Sequence, residues 1–157
     1  MAYRPEPDRD SRPWWERIAR KEFAVQECAS CGTPRFPPRA FCPLCRTEGC
    51  RWREVAPVGT VESWIVNHQP FVPGRLDPYL VVMVRLEAVS GCLVYGNWRS
   101  ERPPEHGERV VGAFTEVTED LTVLDWAPAA AGGMHGHPSG RTSFQEMTLP
   151  RKLHWYR

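Results

Sequence analysis

The chain lacks any apolar run approaching the roughly 20 residues that a membrane-spanning helix needs. Its opening stretch, MAYRPEPDRDSRPWW, has no apolar centre between its charges and so does not read as a secretory leader. Charge of one sign is also missing. The 20 basic and 19 acidic side chains leave a formal net charge of +1, too little for the electrostatic footprint of a polyanion-binding surface. No glycine-rich phosphate loop of the P-loop or dinucleotide type is present. Neither Cys50 nor Cys92 has a histidine partner by motif, so no nucleophile with its base and orienting group can be assembled from the text. What remains is a globular composition, 41% hydrophobic and 25% charged, in 157 residues. That length suits one domain, or a compact domain with a small module. The expected compartment is the cytoplasm, where thiols stay reduced.

Against these absences stands one dense feature, CASCGTPRFPPRAFCPLC. Cys28, Cys31, Cys42 and Cys45 follow a C-x2-C-x10-C-x2-C spacing. Each short pair lets two thiolates curl around one ion, and the loop carries the second pair across it. Zinc fits best, because it favours closed tetrahedral thiolate sites at structural positions. Iron in a rubredoxin-like site uses the same geometry. Four unrelated reduced cysteines, or a redox pair, are the plainer alternatives. Pro34, Pro37, Pro38 and Pro43 stiffen the excursion and reduce the entropy lost on closing the site. Four sulfurs leave no open coordination position, so the metal is expected to hold structure. Cys50 and Cys92 are expected to be free buried thiols.

Four parts are expected: an N-terminal arm and helix over 1–27, a metal ribbon over 28–52, a barrel over 53–127 and a tail over 128–157. Residues 1–10 are polar and proline-containing and predict a mobile arm. SRPWWERIARKEF predicts a helix, with Ser11 as cap, Pro13 in the first turn, and Trp14 and Ile18 one turn apart on a face. The tryptophan pair Trp14 and Trp15 either packs on the ribbon or docks on another protein. Five strand-like segments follow: TVESWIVNHQ, YLVVMVRLEA, GCLVYGNW, ERVVGAFTEVT and LTVLDWA. In the second of these Leu80, Val82, Val84 and Leu86 share a face. Short strands with turn residues between them predict a small closed or nearly closed barrel, with Gly59, Gly91, Gly96 and Gly112 at bulges or bends. The overall class is mainly β. APAAAGGMHGHPSG reads as a flexible linker, in which His135 and His137 are plain linker polarity. The closing RTSFQEMTLPRKLHWYR is apolar for a free tail, and is expected to lie along a partner, with folding back on the barrel as the alternative.

This order of parts resembles the family catalogued as domain of unknown function 35, over roughly residues 11–127. The most specific pieces are Pro37-Pro38-Arg39 ahead of Cys42-Pro43, Gly59-Thr60-Val61, Pro78-Tyr79 before an apolar strand, and Gly96-Asn97. The resemblance implies a rubredoxin-like zinc ribbon followed by an acyl-CoA-associated OB-fold. It implies a required, non-catalytic helper of thiolase-superfamily enzymes, forming a hetero-oligomer with a thiolase-like subunit. Of these partners, the favoured one is a lyase of steroid degradation, which shortens a side chain held as a CoA thioester by retro-aldol cleavage. If acyl-CoA reaches this chain, the candidate contacts are Trp64, His68, Arg75, Tyr79, Trp98 and Arg99. The aromatic groups would line an apolar channel and the arginines would meet phosphates. The competing reading puts Trp64 and Trp98 in the barrel core and the arginines in water, with His68 a surface residue. Two other functions are weighed against the helper: a single-stranded nucleic-acid module, and a stand-alone enzyme acting on CoA esters.

Overall fold

The computed structural model describes residues 5–69 and 78–130. Helix α1 spans Arg12–Ala19. Ser11 is its N-cap residue, as expected, but caps through its carbonyl, which accepts from Trp14 and Trp15, and makes no capping bond with its side chain. Instead the Asp8 carboxylate accepts the Ser11 N–H at 2.7 Å and the Asp10 N–H at 3.1 Å. The arm is therefore tied into a turn from Asp8 onward. The helix stops short of the expected KEF because Lys21 turns left-handed, with φ 61°. There the Lys21 N–H donates to Ile18 O and the Glu22 N–H to Arg17 O, closing the last carbonyls in a Schellman pattern.

A three-stranded sheet follows, from β1 (Ala24–Cys28), β2 (Pro34–Arg35) and β3 (Cys50–Glu54), in the order β2-β1-β3. Then come β4 (Val58–Asn67), β5 (Tyr79–Leu86), β6 (Leu93–Asn97), β7 (Arg109–Thr118) and β8 (Leu121–Pro128). They pair antiparallel in the order β6-β5-β4-β7-β8. The open ends of this sheet meet in parallel: Trp98 bridges Trp126, and the Arg99 N–H donates to Trp126 O at 2.8 Å. Antiparallel meander, return pair and parallel closure together make the OB-type barrel. All five expected strands form.

Val61, Val82, Val84, Val94 and Val110 are fully buried around Trp126. The alternation expected for β5 holds, with Val82, Val84 and Leu86 inside and Leu80 packed at the margin. Gly96 is needed where the barrel closes. A Cβ there would sit 2.5 Å from Leu124 O and 2.8 Å from Trp126 Cδ1. The helix and β1 join the same core through Trp14, Ile18, Phe23 and Val25. Trp14 is buried and edge-on to Phe36 and Trp15, and Trp15 packs against the core beside it. Trp14 thus finds its partners within this chain, as the packing alternative expects, while Trp15 keeps a partly exposed edge. Among the described residues, no helix is long and apolar enough to cross a membrane.

Candidate metal centre and ligand face

The two Cys-x-x-Cys pairs fold as near-copies of each other. In the first, the Gly32 N–H donates to Cys28 O and the Cys28 N–H to Thr33 O, at 3.0 and 2.9 Å. In the second, the Arg46 N–H donates to Cys42 O and the Cys42 N–H to Thr47 O, both at 3.0 Å. Gly32 and Arg46 hold equivalent left-handed conformations, with φ 71° and 61°. These turns bring all four sulfurs within 4.8 Å of one another. Cys28 and Cys45 are 3.6 Å apart, as are Cys31 and Cys42. A disulfide would need about 2.05 Å. Tetrahedral zinc, with Zn–S near 2.3 Å, places its sulfurs roughly 3.8 Å apart. The four thiols therefore fit one tetrahedral ion and do not fit two disulfides.

The backbone prepares two of these sulfurs, Cys28 and Cys42, for a cation. The Cys28 thiol is pulled down to about 6, first by the Cys31 N–H and then by the Ser30 N–H, against an opposing effect of burial. Cys42 is lowered in the same way, by the Cys45 N–H and, with burial opposing, the Leu44 N–H. Amide donors that favour the thiolate also favour metal coordination. Cys28 and Cys42 are buried, while Cys31 and Cys45 lie outward. Each outward sulfur meets a threonine hydroxyl: Thr33 lies 3.1 Å from Cys31, and Thr47 lies 3.0 Å from Cys45. A hydroxyl facing a thiolate is the donor, although the Thr47 hydroxyl is also placed to donate to Ser30 Oγ at 3.1 Å. These threonines are absent from the ligand reading of the sequence, yet a signal was there. CASCGT and CPLCRT repeat a C-x2-C-x-T unit. Of the remaining thiols, Cys92 is buried and burial pushes it up, whereas Cys50 is only partly covered.

The register gathers five of the six acyl-CoA candidates at one end of β4, β5 and β6. Asn67 pairs with Tyr79, and its side-chain amide donates to the Tyr79 hydroxyl at 2.7 Å. Trp64 lies one turn of the pleat away on β4, opposite Val82, and His68 follows the strand's end, exposed. The Trp98 N–H donates to Leu80 O at 3.0 Å, placing Trp98 and Arg99 beside the same end. Arg75 falls outside the described residues. Trp64 is 37% exposed. Trp98 is half-buried against the core, with its indole N–H donated to Arg102 O at 2.6 Å. Arg99 is drawn inward, donating to Thr115 and lying 3.8 Å from the buried Asp125 carboxylate. The core tryptophan of the barrel is Trp126, fully buried. His135, His137 and the apolar tail also fall outside the described residues.

Comparison with known proteins bears on this arrangement directly. Residues 15–49 match the ChsH2 rubredoxin-like zinc ribbon domain, and residues 52–118 match the ChsH2 C-terminal OB-fold domain. The chain also superposes on a chain of the Ltp2-ChsH2(DUF35) aldolase with a TM-score of 0.73 and 33% identity, covering 81% of this chain and 100% of that one. The chain belongs to the ChsH2 family of DUF35 proteins. A probable enoyl-CoA hydratase alpha subunit from Thermomonospora curvata is 35% identical over 132 residues, which is 82% of this chain and 41% of that protein. A 3-oxo-4,17-pregnadiene-20-carboxyl-CoA hydratase alpha subunit from Mycobacterium tuberculosis is 31% identical over 100 residues, covering 64% of this chain and 31% of that protein. The chain thus spans less than half the length of these two relatives.

Proposed function

We propose that the chain is a non-catalytic accessory subunit of a thiolase-fold enzyme acting on acyl-CoA. Its contribution is scaffold and one wall of the acyl-CoA channel, and the reacting groups belong to the partner. The reaction assigned to that partner is retro-aldol cleavage of the steroid side chain of a CoA thioester. The observation that carries this reading is the overlap with the whole of one chain of an aldolase structure at 33% identity. The hydratase relatives add support for the substrate class, since one is named for a pregnadiene-carboxyl-CoA, a steroid thioester.

Within this reading Cys28, Cys31, Cys42 and Cys45 hold zinc, which supplies folding energy to the ribbon and, with its shell closed by four sulfurs, no chemistry. Trp64, His68, Tyr79 and Trp98, with Arg75 and Arg99, border the channel end of the barrel. Residues 128–157 form a linker and a segment that docks on the partner. Co-purification from the native host followed by mass spectrometry is expected to return a thiolase-like subunit. The reconstituted pair is expected to cleave a steroid side-chain thioester that neither chain cleaves alone. Turnover by the isolated chain would overturn the accessory role, and salt-sensitive binding of a single-stranded oligonucleotide would favour the nucleic-acid module instead. Deleting residues 133–157 is expected to weaken the complex while leaving the barrel folded. An unchanged complex would show that this segment does not dock.

A further inference from the structure

Two charged side chains are buried among the described residues, Arg35 and Asp125. Their surroundings differ. Asp125 accepts from Asn97 and Thr115 at 3.0 and 2.7 Å and has Arg99 beside it. Arg35, at 3% exposure, has no carboxylate within ion-pair distance among the described residues. Its Nε donates to Gln26 Oε1 at 2.8 Å, and its Nη2 reaches Ala40 O at 3.4 Å. Its Nη1 is enclosed and has no acceptor. The Gln26 oxygen is already shared with the Arg39 N–H at 3.0 Å, so it has little left to give. A guanidinium held away from water without a counter-charge is costly, and an orphaned donor adds to that cost.

Arg35 is held there by the pairing of β2 on β1, where it stands opposite Gln26. It lines a cavity of about 260 Å³ between the ribbon and the turn before α1. Arg9, Asp10, Arg39 and Glu48 also line it. Arg9 is engaged by Asp10 at 3.2 Å and Glu48 at 3.7 Å. Arg39 is exposed, its Nε making only a long contact with Pro37 O at 3.5 Å. Three guanidiniums against two carboxylates leave the lining with one net positive charge.

We propose that this cavity is a binding site for a single carboxylate, held between the guanidiniums of Arg35 and Arg39. A guanidinium fork matches the two oxygens of a carboxylate. One net positive charge suits a monoanion, and the flanking Asp10 and Glu48 oppose a phosphate dianion. The carboxylate comes either from a free organic acid or from an acidic side chain of another polypeptide. This assignment does not depend on the identity of the partner enzyme.

The test uses the full zinc-loaded chain and follows melting temperature and amide chemical shifts. The probes are sodium acetate, a short blocked peptide with one glutamate, inorganic phosphate, and sodium chloride at matched ionic strength. A saturable carboxylate effect beyond that of chloride is expected, centred on residues around Arg35 and Arg39. Saturation by acetate identifies a free acid as the source. Saturation by the glutamate peptide alone identifies a side chain of another protein. Losing one charge-assisted contact in Arg39→Gln is expected to weaken binding by about tenfold. Arg35→Gln is expected to abolish it. Should Arg35→Gln not fold, the exposed Arg39→Gln still decides the matter. No effect beyond chloride, tighter binding of phosphate than of either carboxylate, or unchanged affinity in Arg39→Gln would each overturn the proposal.

Discussion

In the barrel, β4 to β8 turn Val61, Val82, Val84, Val94 and Val110 onto Trp126, and the one buried charge on these strands, Asp125, is met by Asn97, Thr115 and Arg99. In the ribbon, three short strands enclose Gln26, Arg35, Cys28 and Cys42 instead. One region gains stability from removing apolar surface from water, the other depends on gathering sulfur atoms that would otherwise be buried without partners. A two-residue strand such as β2 cannot supply a hydrophobic layer, so the ion must replace it. The two regions nonetheless share a border. Phe23 and Val25, on the ribbon side, sit in the same cluster as the barrel residues. The ribbon therefore faces sulfur chemistry on one side and the common core on the other.

The sharpest way to break this comparison is to remove the metal. In a Cys28→Ser, Cys31→Ser double variant, bound metal is expected to fall from one ion per chain to none. The ribbon then loses binding energy on the order of 10 kcal/mol, which is folding energy there. Amide exchange should rise to unprotected rates over residues 28–52. Protection in β5 and β8 should persist, because their packing does not pass through the ion. Wild-type metal content and melting in this variant would remove the structural-metal assignment.

The reverse experiment strikes the barrel. Trp126→Ala deletes the largest fully buried side chain and should cost about 3–5 kcal/mol in urea unfolding. Metal content per folded molecule should stay at one. A parallel loss of metal would mean that the two regions fold as a single unit. A milder version is Gly96→Ala. Its new methyl would meet backbone at Leu124 O and the rigid indole of Trp126, so β6 and β8 must separate. We expect about 1–3 kcal/mol from this overpacking. The loss should appear as faster exchange of the Arg99 amide, which closes the barrel on Trp126 O.

Local signals were legible in the sequence wherever a single rule decides the outcome. The thiol spacing located the four sulfurs that the fold gathers within 4.8 Å of one another, and simple alternation located Val82, Val84 and Leu86. Trp14 and Ile18, expected one turn apart on one face of the helix, form its buried face. The sequence was less informative where a local rule is interrupted. Along β4 the register shifts between Val61 and Ser63. Plain alternation from the buried Val61 would bring Ile65 inside, but the bulge turns it out to 63% exposure and sets Trp64 opposite Val82 instead. No residue type announces that shift. The capping position was legible but not its chemistry: Ser11 is the N-cap residue, yet its hydroxyl donates back to the Asp8 carboxylate and leaves the helical N–H groups without a side-chain acceptor. The burial of Arg35 depends on which strand β2 joins, and two residues of text do not specify a pairing.

The smallest expected effect tests the internal likeness of the two metal turns. Thr33 and Thr47 occupy equivalent places behind Cys31 and Cys45, and each hydroxyl supports one outward sulfur. Val is close in shape to Thr but cannot donate, so Thr47→Val removes the donor with little change in packing. Partners of this kind around a metal ligand typically contribute 10–100-fold to affinity, and because these two are exposed we expect about tenfold for each. Competition with a chelator would measure it. If the turns are true equivalents, Thr33→Val and Thr47→Val should weaken the metal equally, and their effects should multiply in the double variant. Unequal losses would instead trace to contacts that Thr47 makes outside its own turn, the first being donation from its hydroxyl to Ser30 Oγ at 3.1 Å. Thr47 also lies 3.7 Å from the buried Cys28 sulfur, on the opposite strand of the ribbon, whereas Thr33 touches only its own turn. In that case Thr47 would be the hydroxyl that ties the two knuckles together, and its loss would exceed that of Thr33.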